Sequence, residues 1–271
     1  MQTATQVGVI GTGKMGEPMA KHLLKTAQQV WVFDQNSEPL NRLSAAGCRV
    51  AKHPHDMLEH CELILLVVSF DHQVLGLLSG PDGLFTQAQK PLTVMICSTV
   101  EPDTMAQLAQ LAPSHIQLVD APICRGEQAA ETGDLLAMVG GEASVVSAVE
   151  PHLRAFCSDV DHLGPLGAGQ VGKALNNFIL WSCISVNHEA FTLGKQYGLD
   201  QETLRQSLLK SSGENWAMKT WNRKRTMPWA EKDMRIILQM ADSHQLPLPM
   251  AGFIKEHIKW VKSEWGLLPK K

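Results

Sequence analysis

The sequence carries no excess of charge of either sign: 24 Lys and Arg stand against 27 Asp and Glu, a formal net charge of −3. So even a balance leaves no electrostatic footprint for nucleic acid or an anionic membrane. Long apolar runs are absent too. The longest, Leu63 to Val68, is too short to cross a bilayer and reads as a buried parallel strand. The opening MQTATQVGVIG has no basic region followed by an apolar core, so no signal peptide is expected. The six cysteines, Cys48, Cys61, Cys97, Cys124, Cys157 and Cys183, include no C-x-x-C pair. That argues against a zinc site or a disulfide framework; no metal is expected, and reduced thiols in the cytoplasm are the simple reading. Cys61 and Cys97 lie in apolar runs and are expected in the core. Internal repeats, low-complexity segments and disordered linkers are missing as well.

What is present is a chain of 271 residues, 44% hydrophobic, long enough for two domains. Its first part alternates short apolar β-like runs with helical patterns. Strands are expected at Val7–Ile10, Val30–Phe33, Leu63–Val68, Val94–Cys97, Gln117–Asp120, Leu135–Val139 and Asp159–Leu163. Ser37-Glu38-Pro39 and Glu101-Pro102-Asp103 read as helix starts with proline in the first turn. Alternation of this kind implies an α/β domain with a largely parallel sheet. Past Gly169 strand signals nearly vanish. Gln170 to Tyr197 reads as one long helix, apolar over most of its surface and therefore expected to be buried. Gly198 stops it, and Asp200 caps the next; three or four more helices follow, the last at Met250–Trp265. The expected division is an α/β domain over residues 1–163, which Gly11-x-Gly13-x-x-Gly16 after the first strand marks as a Rossmann dinucleotide-binding domain, and an all-α domain over 164–271, expected to serve substrate and oligomerisation.

Two glycine motifs carry the chemistry. The first is Gly11-Thr12-Gly13-Lys14-Met15-Gly16, between an apolar strand and an amphipathic helix. Gly11 permits a tight turn, Gly13 lets the backbone approach a pyrophosphate, and Gly16 lets helix and strand pack closely. The helix N-terminus then offers N–H groups and a positive dipole end to phosphates. Asp34 ends the next strand, 18 residues after Gly16, where an acidic residue that binds ribose hydroxyls is expected. Its carboxylate accepts from a 2′-OH and repels a 2′-phosphate. Gln35 and Asn36 supply no cation, and Arg42 lies away on a helix, so NAD is expected in preference to NADP. The second motif is the run Gly164 to Asn177, in which Lys173 and Asn177 are spaced i, i+4 and share one helix face. A cation and an amide facing a crevice can hold and protonate a carbonyl compound, and the glycines before them allow close approach of a ligand or another backbone.

With both motifs in hand, the chain resembles the β-hydroxyacid dehydrogenase family, which includes 3-hydroxyisobutyrate dehydrogenase and tartronate semialdehyde reductase. GVIGTGKMGEPMA, CSTVEP, DAPICRGEQAAETGDLLAMVGG, GAGQVGKALNN and EKDMRIILQMA match its motifs in order. The resemblance implies NAD(P)-dependent interconversion of a small 3-hydroxy acid and its semialdehyde or ketone. It makes Lys173 the catalytic residue and Asn177 a substrate ligand. Val68, Ser69 and Thr99 would line the nicotinamide ribose, Lys232 would reach the cofactor or substrate, and Pro122, Ile123, Cys124, Arg125 and Gly126 would bind the substrate carboxylate. Chemistry agrees: hydride leaves carbon as a proton leaves oxygen, and a positioned acid–base group is typically worth about 10²–10⁴-fold. A lysine serves when burial or a neighbouring cation lowers its pKa, and Lys232 and Arg125 are the candidate cations. Lys173 and Asn177 can both donate to the carbonyl oxygen.

Departures from the family pattern fall on the substrate loop. Cys124 stands where the family usually has serine and is a weaker donor; Arg125 replaces glycine and offers a bidentate fork to an anion, or else points to solvent. The segment WNRKRTMPWAEKD looks shorter than in relatives. Trp216, Trp221 and Trp229 cluster in its neighbourhood and read as plain core before they read as a wall of the site; Arg223-Lys224-Arg225 reads as a solvated loop. An imine reductase and a non-catalytic scaffold of the same fold are the competing readings, and both usually lack the lysine at position 173. The apolar surface of the long and the C-terminal helices points to a homodimer or homotetramer.

Overall fold

In the computed structural model, which describes residues 6–27, 29–223 and 225–267, the chain divides into two compact units, Met1–Lys173 and Ala174–Lys271. The first is built on nine strands: β1 (Gln6–Ile10), β2 (Gln29–Phe33), β3 (Arg49–Val50), β4 (Leu63–Leu66), β5 (Leu92–Ile96), β6 (Ile116–Asp120), β7 (Ile123–Cys124), β8 (Leu135–Gly140) and β9 (Cys157–Gly164). They order as β3-β2-β1-β4-β5-β6-β8-β7, with β9 on β8. Every pair from β3 to β6 is parallel; β8 runs antiparallel to β6 and β7, and β9 runs parallel to β8.

Side chains on a strand alternate between faces. In β4, Leu63 and Leu65 enter one core with Val7, Val9, Val30 and Val32, while Ile64 and Leu66 enter the other with Val94 and Ile96. Both faces are therefore covered, as a parallel sheet requires. Each fully buried aliphatic side chain contributes about 1.5–3 kcal/mol. Cys97 belongs to the first core and Cys61 to the second, and burial pushes the Cys61 thiol up to about 12.

All seven expected strands are found with shifted ends. The expected Leu63–Val68 run stops as a strand at Leu66; Val67 N still donates to Ile10 O at 2.8 Å, and Val68 turns away. The two-residue strands β3 and β7 were too short to show a period. The helix expected to start on a Ser37 cap is capped instead by Asn36, whose Oδ1 accepts from Glu38 N at 3.0 Å. Pro102 does open its helix, and Asp200 caps the helix Gln201–Leu208 through Thr203 N at 2.8 Å.

The long helix runs from Ala168 to Gln196. Its N-terminus lies in the first unit, where Asp120 at the end of β6 is fully buried. Asp120 Oδ1 accepts from Gly167 N at 2.6 Å and Oδ2 from Gln170 N at 2.8 Å. Burial pushes the carboxyl pKa up, and the backbone N–H groups pull it back.

The second unit packs Trp181 and Ile184 of the long helix against Met234 and Ile237 of the helix Ala230–Ser243 and Ile258 and Val261 of the helix Pro249–Glu264. Trp181 Nε1 donates to the buried Asp233 at 2.9 Å, and buried Lys262 meets both oxygens of Glu231 at 2.9 Å. The expectation that the long helix is buried over most of its surface does not hold. Trp181, Ile184 and Phe191 are buried, but Leu175, Ile179, Val186 and Leu193 are exposed, Ile179 at 63%. At 3.6 residues per turn those four fall on one face, opposite the packed one.

The expected tryptophan cluster also resolves differently. Trp221 packs edge-on against Phe191 and Trp265, whereas Trp216 and Trp229 are exposed. Arg223 and Arg225 lie over the Trp216 ring at 5.7 Å, and Arg225 donates to Thr220 O at 2.9 Å, so Arg225 is not simply solvated. Lys224, Lys270 and Lys271 lie outside the described residues.

Asp120→Asn should destabilise the protein. An asparagine at this place accepts one N–H and turns its own amide toward the other, a penalty of about 1–3 kcal/mol for a buried mismatched donor. Urea unfolding at neutral pH reads this as a lower midpoint with an unchanged slope.

Candidate cofactor and substrate site

The candidate residues of the first unit come from the ends of its parallel strands. After β1 the chain turns at Gly11, where φ is +94° and a Cβ would lie 2.4 Å from Val67 O. At Gly16 a Cβ would come within 1.9 Å of Gly11 O, so only glycine lets the helix Gly16–Leu23 start this close to the turn. At Gly13 nothing lies within 4 Å, which leaves its backbone open to a phosphate. Asp34, just past β2, accepts from Thr12 N at 2.6 Å and from Asn36 N at 2.8 Å. Thr12 Oγ1 also donates to Oδ2, at 3.2 Å, so Oδ1 is the oxygen that keeps a lone pair for a hydroxyl donor. Lys14 pairs with Glu127 at 3.1 Å on the surface, and Met15 packs partly buried against the core.

Arg42 is the cation nearest in sequence after Asp34, and it is committed elsewhere. It holds Glu17 through Nε at 2.9 Å and Nη2 at 2.7 Å, and Glu38 through Nη1 at 2.8 Å. These residues fit a dinucleotide with free ribose hydroxyls: an open glycine backbone at a helix N-terminus and an acid with no arginine committed to a 2′-phosphate. NAD fits better than NADP.

Past β4, Val68 N donates to Ser98 Oγ at 2.8 Å, and Ser69 N and Phe70 N both donate to Gln73 Oε1 at 3.0 Å. Past β5, Thr99 is half-buried between Ser98 and Val100. Glu101 N and Thr104 Oγ1 donate to Asp71 Oδ1 at 2.7 and 3.0 Å. Asp71 and Gln73 carry no motif in the sequence; Asp71 ties the loop after β4 to the one after β5, and Gln73 closes the turn of its own loop.

The substrate-loop candidates separate. Ile123 and Cys124 form β7 and are buried, and Cys124 Sγ lies 3.7 Å from Lys173 Nζ. Half-buried Lys173 is therefore brought onto the loop by the first turns of the long helix. Arg125, expected as an anion fork or as pointing to solvent, is paired within the protein while its side chain stays 35% exposed. It adopts φ +86°, a left-handed conformation that costs a non-glycine residue about 1–2 kcal/mol, and Gly126 follows it into the helix Gly126–Thr132. Its guanidinium faces Asp159 at 2.7 Å, Ser158 Oγ at 2.7 Å and Asp134 O at 3.0 Å. Those contacts offset the backbone cost. Gly169 serves packing: a Cβ there would lie 2.3 Å from Met138 O and 2.7 Å from Asp120 Oδ2.

The remaining candidates belong to the second unit. Asn177 follows on the long helix and is buried, its Oδ1 accepting from Asn176 Nδ2 at 3.0 Å. Lys232 is half-buried in the first turn of the helix Ala230–Ser243. Among the described residues no group of three or more His, Cys, Asp and Glu is placed to hold a metal, and no helix is long and apolar enough to cross a membrane.

A doubly covered parallel sheet with a glycine-rich turn, followed by a helical unit, defines a nicotinamide-dependent oxidoreductase. Residues 6–164 match the NAD binding domain of 6-phosphogluconate dehydrogenase, and residues 167–266 match the NAD-binding family of NADP-dependent 3-hydroxyisobutyrate dehydrogenase. The chain is 33% identical over 225 residues to the NAD-dependent L-serine dehydrogenase of Pseudomonas aeruginosa, covering 83% of this chain and 74% of that one. It is 35% identical over 227 residues to the same organism's 3-hydroxyisobutyrate dehydrogenase, with the same coverage. Mycobacterium tuberculosis 3-hydroxyisobutyrate dehydrogenase shares the fold with a TM-score of 0.84 over 95% of this chain and 94% of that one, at 22% identity. The chain belongs to the β-hydroxyacid dehydrogenase family: it is an NAD-dependent hydroxyacid dehydrogenase.

The Glu17–Arg42 pair gives a pH test. Arg42 holds the Glu17 carboxyl at about 2, below its ordinary 4.5. A depressed folded pKa contributes stability that is complete above the unfolded value and lost as pH falls toward the folded one. Arg42→Met should therefore lower stability at neutral pH and flatten its acid decline between about pH 4.5 and 2. Urea midpoints measured across that window, against wild type, check it.

Proposed function

We propose that the protein oxidises a small 3-hydroxy acid to its semialdehyde, or reduces the semialdehyde, with Lys173 as the acid–base group. The observation that carries this is the placement of Lys173 Nζ 3.7 Å from the Cys124 thiol of the substrate loop, in the unit that also holds the glycine-rich turn. The named relatives act on serine and 3-hydroxyisobutyrate, both of which carry a CH₂OH next to the carbon that bears the carboxylate. A substrate of that class is the proposal here.

NAD, when bound, takes up the hydride. The chain's own part is to place the hydroxyl, remove its proton at Lys173 Nζ, and hold the new carbonyl oxygen with the same group. Asn177 is proposed as a second donor to that oxygen, and Lys232 as a contact to cofactor or substrate. Gly11 to Gly16 would cradle the pyrophosphate, Asp34 would take the ribose hydroxyls, and Val68, Ser69 and Thr99 would line the nicotinamide half. Residues 122–126 would receive the carboxylate chiefly through backbone N–H groups, because the Arg125 guanidinium already serves Asp159. The domain assignment of residues 1–163 to cofactor and 164–271 to substrate and oligomerisation remains the working division, in a cytoplasmic enzyme.

Lys173→Met should lower kcat about 10²–10⁴-fold, the usual range for general acid–base help, while Kd for NADH stays within about twofold. NADH oxidation with short carboxylate-bearing semialdehydes measures it. Equal kcat in both proteins would remove Lys173 from the chemistry, and NADH binding without turnover of any substrate would favour a scaffold.

The exposed stripe of Leu175, Ile179, Val186 and Leu193 supports pairing of two copies. Light scattering of the full chain should give at least a dimer, and Ile179→Arg should shift it toward monomer.

A further inference from the structure

Gln170 is fully buried at the start of the long helix, one turn before Lys173. Its side chain does what a neighbouring parallel strand would do. Gln170 Oε1 accepts from Val100 N at 3.0 Å, and Nε2 donates to Ser98 O at 2.8 Å. Both bonds are buried, and they grip the backbone on either side of Thr99. The donor and acceptor cannot be exchanged, since Val100 offers only N–H and Ser98 only a carbonyl at these places. Ser98 in turn accepts from Val68 N through its hydroxyl at 2.8 Å. The backbone N–H of Gln170 meanwhile is held by Asp120 at 2.8 Å. The Gln170 amide thus fixes the backbone around Thr99 to the helix that carries Lys173, and the Ser98 hydroxyl ties the same segment to the loop that carries Val68.

We infer that Gln170 is a positioning residue for the cofactor: it sets the backbone of Thr99, and so aims the Thr99 side chain at the nicotinamide half. The inference rests on the placement of Thr99 and Val68 at that half, proposed above. Loss of the amide leaves a buried N–H and a buried carbonyl unpaired, so the 98–100 segment has to move to satisfy them.

The test is a double-mutant cycle on NADH affinity, read by NADH fluorescence with the full chain. Gln170→Leu keeps the volume and removes both bonds, and should weaken NADH at least about tenfold. In a Thr99→Ala background the same change should cost less than about threefold, because Gln170 acts through Thr99. Gln170→Glu keeps the acceptor and removes the donor, and should fall between wild type and Gln170→Leu; it carries the cycle should the leucine variant not fold, as judged by circular dichroism. Equal losses in both backgrounds, or unchanged affinity in a folded Gln170 variant, would overturn the inference while the cofactor reading stands. Failure of the wild type to bind NADH would overturn both.

Discussion

The buried carboxylate of Asp120 is the interaction on which the candidate chemistry depends. An ion in a protein interior costs several kcal/mol unless its lone pairs are met. Here they are met by the N–H groups of Gly167 and Gln170, at the positive end of a long helix dipole. Close packing around the carboxylate is strict. A Cβ at Gly140 would lie 2.4 Å from Oδ1, and one at Gly169 would lie 2.7 Å from Oδ2. Those glycines leave room for the acid and for the backbone carbonyls of Met138 and Pro165 beside it. The strand β6 thereby dictates where the helix begins, and Lys173 inherits its place from that point. A lysine on a helix anchored only by apolar contacts would be free to slide by the fraction of an ångström that proton transfer does not tolerate.

Much of this fold is legible in the residues because parallel sheets state themselves in apolar runs. LILL at 63–66 has no alternation, and both of its faces are buried. Legibility fails where the period is too short or the decisive neighbour is distant. β3 and β7 each have only two residues, below any periodic signal. Val67 and Val68 read as strand because they are apolar and β-branched, yet Val68 N is claimed by the Ser98 hydroxyl and leaves the ladder. The long helix shows the opposite limit. Its apolar residues are real, but sequence cannot say whether an apolar face is covered by its own chain or by another.

The site was legible to the extent that it is built on glycine and charge at fixed spacing. Gly11 and Gly16 hold the tight turn and the close helix start their spacing implied, and Lys173 lies beside Cys124. What escaped was the layer behind. Asp71, Gln73 and Gln170 are ordinary polar residues in sequence, and their importance lies in partners about 30 to 70 positions away or in a local turn. No local pattern encodes such a pairing.

Arg125 shows how a side chain that reads as an anion fork can also serve the backbone of its own loop. A guanidinium on a loop that faces an anionic substrate suggests an anion fork. The structure uses it to hold a left-handed turn, with Asp159 as its counter-ion. Glycine adopts that turn without help, so replacing it with arginine requires a compensating contact, and β9 supplies one. The substitution therefore changes the stiffness of the loop before it changes the charge presented to substrate. Cys124, beside it, alters the loop in another way: a thiol is a poor donor, so under the proposed function the loop backbone and Lys173 would have to hold the substrate in place of a side-chain hydroxyl.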